Sequence, residues 1–376
     1  MAQMNFALKH SELRDLYDKT VAGERFTDDE ALRLFRTKDI NALGALADVA
    51  RQRKAGNRAT YIVNAYINYS NYCILSCQFC AFARKKRDAD GWQLTPEQIV
   101  EKARAALSVG VTELHIVGGL HPNLPFSYYT DFLQALRALD PNLQLKCFTA
   151  IEILHLAWLA KKSVRDTLIE LRAAGLNSLT GGGAEIFNPT IRSAIAKGKE
   201  SAAEYLDVHR TWHQLGERST CTMLYGHIES VEDRIDHLRQ LRALQDETRG
   251  FCGFVPLAYH PGNNKIPVEH PPTGFDSLRT IAASRLYLDN FDHITAYWIG
   301  LGTKLAQVAL SYGADDLHGT ILEENIFHMA GASSPQVQTR AEMVKAIREA
   351  GREPVQRDTF YEPMEQPPTR ELATAK

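Results

Sequence analysis

Seven or eight short apolar segments, each followed by a helical stretch, run through this chain in one unbroken series from residue 61. They are YIVNAYINYS (61–70), TELHIVGG (112–119), QLKCFTA (144–150), LNSLTGG (176–182), RSTCTMLYG (218–226), FCGFVPLAY (251–259), HITAYWIG (293–300) and the weaker ADDLHG (314–319). Strands that alternate with helices pair in parallel and are covered by those helices, and a series this long curls into a barrel instead of dividing into two domains. The fold expected is therefore α/β, a (β/α)8 TIM-type barrel. An open doubly wound sheet is the alternative, but it needs a GxGxxG turn after an early strand, and none stands there.

The stretch before the barrel reads as a small helical extension over 1–58. Thr27 and Glu30 have the spacing of a capping box, and Leu32, Leu34, Phe35, Leu43, Leu46 and Ala47 follow at helical intervals, broken near Lys38 and Asp39. Thr95 followed by Pro96 and Gln98 opens a helix in the barrel proper, expected over 59–362. The tail, 363–376, has proline and charge but few apolar residues and is expected to be disordered. Positive and negative charges nearly cancel, to −2 over 376 residues, which argues against a nucleic-acid partner. No run of 18 apolar residues suggests a membrane span, and the N-terminus has no apolar secretory core.

Six cysteines are present, and three of them crowd into residues 73–80. In a chain of this length that is a metal-binding arrangement and not a disulfide framework, which places the protein in the cytoplasm. Cys73, Cys77 and Cys80 form CxxxCxxC directly after the first strand. A cubane iron–sulfur cluster has four irons, so three thiolates leave one iron open to a small molecule. Structural zinc with a distant fourth ligand, an electron-carrying or sensing cluster with a remote fourth cysteine, and three unconnected buried cysteines are the readings that compete. Cys147, Cys221 and Cys252 lie inside apolar strands and read as small buried hydrophobes.

With Phe79 in the aromatic position, CxxxCxΦC resembles the signature of the radical S-adenosylmethionine (SAM) superfamily. The resemblance implies a [4Fe–4S] cluster on Cys73, Cys77 and Cys80, with SAM on the open iron. It implies that Phe79 lies near the adenine, and that the Gly118–Gly119 backbone meets the methionine amino group. Leu120 stands where many relatives carry an acidic residue. Over residues 20–362 the chain is most similar to the aminofutalosine (aminodeoxyfutalosine) synthase family of menaquinone biosynthesis. The stretches that carry the similarity include GGLHPNLPFSYY (118–129), FTAIEI (148–153), GGGAEIF (181–187), TMLYGHIES (222–230), FVPLAYHP (254–261), AYWIGLG (296–302), GADDLHGT (313–320) and HMAGA (328–332). That family adds the 5′-deoxyadenosyl radical to 3-[(1-carboxyvinyl)oxy]benzoate with loss of CO2, so that SAM is consumed as a substrate. A one-electron reductant such as flavodoxin or ferredoxin is the partner implied. Sister enzymes, cyclic dehypoxanthine futalosine synthase and a deazaflavin-precursor synthase, start from the same radical.

A substrate with two carboxylates and an aromatic ring needs cations, donors and ring partners. Arg84, Glu185 and Tyr297 are candidates to bind it. His121, Tyr225, His227 and His260 follow strands and are candidates for catalysis. Glu152 is a candidate acceptor for a ribose hydroxyl or the methionine ammonium. Each has a plainer reading: a strand-end histidine as a cap, Tyr225 as core, Glu152 as a helix cap, and Arg84 as part of a solvated basic run with Lys85 and Lys86.

Overall fold

Parallel strands joined by helices form the body of the protein. The computed structural model describes residues 6–365. Its strands are β1 (Arg58–Ile62), β2 (Asn64–Ile67), β3 (Glu113–Ile116), β4 (Gln144–Cys147), β5 (Ser178–Leu179), β6 (Arg218–Tyr225), β7 (Phe251–Ala258), β8 (His293–Ile294), β9 (Asp316–Gly319) and β10 (Glu353–Gln356). β2 to β8 pair in chain order as one seven-stranded parallel sheet, while β1 lies between β9 and β10. A parallel bridge between Thr295 and Asp316 ties the end of β8 to β9, and β9 pairs with β1, which runs on into β2. The curled sheet thus returns to its first strand, as the α/β alternation predicts.

The first expected strand is broken at Val63, where the chain stops pairing with β9 and starts pairing with β3. The segment HITAYWIG is a strand only over His293–Ile294, and Trp298–Leu301 is already helical. β10 was not expected. It carries Pro354, which an edge strand tolerates because that strand pairs on one side only.

Ahead of the barrel, the Thr27–Glu30 capping box opens the helix Asp28–Arg36, and Asp39 caps Ile40–Ala55. These two helices pack on the barrel helix Gly274–Tyr287. After β10 the chain plugs the end of the barrel where the strands begin. The Arg357 guanidinium donates to both oxygens of Asp316, at 2.6 and 3.1 Å, and Thr359 donates to Glu113 at 2.7 Å. Part of the segment expected to be disordered is anchored here. Pro363 bridges Arg357, and the Met364 N–H donates to the Gln356 carbonyl at 2.8 Å, so backbone pairing holds what side-chain burial does not. Residues 366–376 of that segment lie outside the described residues. Among the described residues no helix is long and apolar enough to cross a membrane.

Candidate active site

The opposite end of the barrel, where the strands finish, opens into a cavity of ≈280 Å³. Its rim is the cysteine loop. Cys73, Cys77, Phe79 and Cys80 line it, together with Gly118 and Gly119 from the loop after β3.

Backbone pairing fixes this loop. The Cys73 N–H donates to the Arg84 carbonyl (2.9 Å), Ile74 to Leu120 (3.0 Å) and Gln78 to Ile195 (2.7 Å). The basic run holds the loop from outside. The Lys85 ammonium donates to the carbonyls of Cys73, Ile74 and Leu75, at 3.0, 3.1 and 2.6 Å. Arg84 donates to the Ala81 carbonyl (2.8 Å) and pairs with Asp90 (2.7 Å). Arg84 does not line the cavity, which corrects its expected contact with substrate: its guanidinium is used on the turn that follows Cys80.

The two glycines are required by the same packing. A Cβ on Gly119 would stand 2.3 Å from the Tyr72 carbonyl oxygen and 3.0 Å from Cys73 Cβ. Glu152 sets the Gly118 backbone. Its Oε1 accepts from the Gly118 N–H (3.0 Å) and the Tyr69 hydroxyl (2.7 Å), and its Oε2 from the Thr149 N–H and hydroxyl (both 2.7 Å). Four donors occupy the four lone-pair positions of a carboxylate. Glu152 therefore caps its helix and holds the glycine bed, and it also lines the cavity. Burial pushes its pKa up, against the pull of those donors.

The thiols suit a cluster. Among the described residues no three His, Cys, Asp or Glu side chains converge on a single ion. Cys73, Cys77 and Cys80 all line the same cavity, and three thiols beside an open space are the donor set that would hold a cubane cluster with one iron left free. Burial raises the Cys77 thiol to about 12, with Lys199 opposing. Burial also raises Cys80, opposed by the Ala83 and Phe82 N–H groups, which would hydrogen-bond a thiolate there. Metal binding takes up such thiols by displacing the proton.

Lys199, which sequence reasoning missed, lies beside this rim. Its Nζ sits 5.4 Å from the Phe79 ring centroid and pairs with Glu185 on the glycine-triplet loop. Burial alone would lower this ammonium, but Glu185, Glu200 and Cys77 outweigh it and hold it above its usual value. Burial pushes the neighbouring Glu200 up to about 7, although Lys199 and Arg192 oppose it.

The floor is built from the strands. Tyr66, His115 and Lys146 stand in register on β2, β3 and β4, and His318 comes from β9. Tyr66 stacks on His115 at 4.3 Å, and its hydroxyl is 3.3 Å from His318 Nε2. Tyr297 and His260 also line the cavity, with the Tyr297 ring edge-on to His318 (5.1 Å) and His260 donating to the Gly300 carbonyl (2.9 Å). Sequence reasoning missed the floor; the local trace of it is a charged residue inside an otherwise apolar strand, Lys146 in QLKCF.

Three catalytic candidates lie outside the cavity. His121 Nδ1 accepts from the Asn123 and Leu124 N–H groups (both 3.1 Å) and so caps its own loop. His227 is buried between the Leu224 carbonyl and Glu229. Tyr225 is fully buried with the Arg234 guanidinium over its ring. In each case local turn or core packing uses the side chain that was expected to meet substrate.

Comparison with known proteins agrees with this geometry. Residues 67–241 match the Radical SAM superfamily and 248–370 the CofH/MqnC C-terminal region. An aminodeoxyfutalosine synthase of Thermus thermophilus is 42% identical, over 94% of this chain and 96% of that protein. A cyclic dehypoxanthine futalosine synthase of Streptomyces coelicolor is 40% identical, over 94% and 89%. Among solved structures, methylornithine synthase (PylB) shares the fold, with a TM-score of 0.69, 19% identity, and coverage of 90% of this chain and 97% of that one.

Proposed function

Since the chain belongs to the radical SAM superfamily, in the group of aminodeoxyfutalosine synthase and its sister enzymes, we propose that it joins the 5′-deoxyadenosyl group of SAM to 3-[(1-carboxyvinyl)oxy]benzoate. CO2 is lost and 6-amino-6-deoxyfutalosine, an intermediate of menaquinone biosynthesis, results. Cys73, Cys77 and Cys80 hold a [4Fe–4S] cluster. When bound, it supplies the electron that cleaves SAM to the adenosyl radical. The Gly118–Gly119 backbone, set by Glu152, receives the methionine part of SAM, and Phe79 borders the adenine. The deeper cavity takes the acceptor and keeps water from the radical.

One observation carries this reading beyond family membership. The cavity has thiols at its rim and a cation among aromatic rings at its floor, which suits an aromatic acceptor bearing carboxylates. The protein acts in the cytoplasm with a flavodoxin- or ferredoxin-type reductant. The test is anaerobic reconstitution followed by SAM, reductant and the enolpyruvyl benzoate. An adenosine-containing adduct is expected, and free 5′-deoxyadenosine without adduct would overturn the reading. The sister cyclase reaction is the second reading, favoured by its 40% identity. Turnover of dehypoxanthine futalosine in place of the enolpyruvyl benzoate would establish it.

A further inference from the structure

The cavity floor holds a cation that the protein leaves without an ion-pair partner. Among the described residues, two lysines line the cavity. Lys199 at the rim is paired with Glu185. Lys146, in the middle of β4, is 4% exposed, yet no carboxylate lies within 4.0 Å of its ammonium and no hydrogen bond engages it. The carboxylate that acts on it most strongly is Glu113, toward the start of the strands, and Glu113 accepts instead from Asn64 (3.0 Å) and Thr359 (2.7 Å). Glu324 on the opposite wall is occupied by the Phe327 N–H and the His328 ring, both at 3.0 Å.

Two imidazoles flank the same space. His115 and His318 each have a buried Nδ1 without a hydrogen-bond partner. Burial brings both rings down to about 3, so they are neutral near pH 7, each with one N–H to offer. Buried polar groups are ordinarily satisfied, and a buried ammonium without a hydrogen-bonded counter-ion costs stability. An ammonium that lines a cavity without a counter-ion, with two neutral imidazoles on the same lining, therefore marks the place of an anionic ligand.

We infer that Lys146, with His115 and His318 beside it, seats the ring carboxylate of the acceptor, the carboxylate that is kept through the reaction. The inference rests on the reaction proposed above and assigns the orientation of its substrate. The alkene has to meet C5′ of the adenosyl group at the rim, so the carboxyvinyl end faces the cysteines and the benzoate end reaches the floor. Tyr66 and Tyr297 then border the ring. The same orientation keeps the ammonium away from the carboxylate that leaves as CO2. A cation on that group would stabilise the ionised ground state and slow its loss, whereas the retained carboxylate can be held at no such cost.

The test is calorimetric titration of the reconstituted holoenzyme with SAM and no reductant. The ligands are the enolpyruvyl benzoate and 2-phenoxyacrylate, which lacks the ring carboxylate. Wild type should prefer the first by about 10- to 100-fold, the range of a hydrogen bond to a charged group. Lys146→Gln should abolish that preference while binding 2-phenoxyacrylate as wild type does, and Lys146→Arg should keep part of it. Equal weakening of both ligands, or an unchanged preference in Lys146→Gln, would overturn the subsite. If Lys146→Gln fails to fold by circular dichroism, the wild-type preference and its retention in Lys146→Arg decide. Adduct formation by wild type is scored separately. If no adduct forms, the proposed reaction fails, and the subsite is then judged by benzoate against benzamide on the same proteins. A Lys146-dependent preference for benzoate sustains it, and no preference overturns it.

Discussion

The rim and the floor of the cavity are built in opposite ways. The rim is almost continuous chain: residues 73–80 supply three thiols and an aromatic ring, and neighbouring backbone holds them. The floor takes one side chain from each of several strands, brought together only by barrel register. The rim can therefore lose its chemistry without losing the fold, whereas the floor is bound up with the barrel's core.

The largest effect expected is at the rim. Cys77→Ala should bring SAM cleavage and iron content to background, while the cluster-free variant keeps the fold and loses only about 1 kcal/mol against cluster-free wild type, the size of an ordinary substitution. Strong loss of stability in urea would show that the loop is part of the folding core and break the contrast. Gly119→Ala should come next. Its Cβ would meet the Tyr72 carbonyl at 2.3 Å, so the cysteine loop has to shift. A cost of about 1–3 kcal/mol and incomplete iron loading are expected, and full loading at wild-type stability would mean that the bed is looser than it looks.

At the floor the signature reverses. His115→Ala should leave the cluster absorbance and acceptor-free SAM cleavage unchanged and raise the KM for the acceptor about tenfold, the size of one hydrogen bond to a charged group. A loss of iron would contradict the separation of the two ends.

The smallest effect on activity is expected where the barrel closes. Asp315 accepts from the Ile294 N–H at 2.8 Å and pairs with Arg285 and His293. Burial pushes its carboxyl up, but Arg285 and His293 outweigh burial and bring it from 3.8 to about 2. A lowered pKa stabilises the fold above the unfolded value, and that stability is lost as pH falls through about 2. Asp315→Asn should cost about 2 kcal/mol at pH 7 and flatten acid unfolding between about pH 4 and 2. Denaturant titrations at several pH values measure this, and an unchanged acid limb would remove Asp315 from the closure.

The same contrast decides what could be read from sequence. Local signals were legible: the capping box at Thr27, the helix start at Thr95 and Pro96, the strand–helix alternation and the cysteine spacing each lie within a few residues. The floor was not, because Lys146 and His318 are 172 positions apart and only strand pairing makes them neighbours. His121, Tyr225 and His227 misled for a related reason. A polar residue at a strand end can turn toward the cavity or back into its own loop, and here all three turn away. β10 was hidden by its proline, and Glu152 showed only one half of its role, since its bond to Gly118 spans 34 residues.

The most direct measurement follows the carbon that the reaction discards. Wild-type holoenzyme would be given reductant, SAM and enolpyruvyl benzoate labelled in the carboxyvinyl carboxylate, and labelled CO2 counted against SAM consumed. Capture of the adenosyl radical by the acceptor predicts one CO2 and one adenosine-containing adduct for each SAM. SAM consumed with free 5′-deoxyadenosine and no labelled CO2 would contradict it.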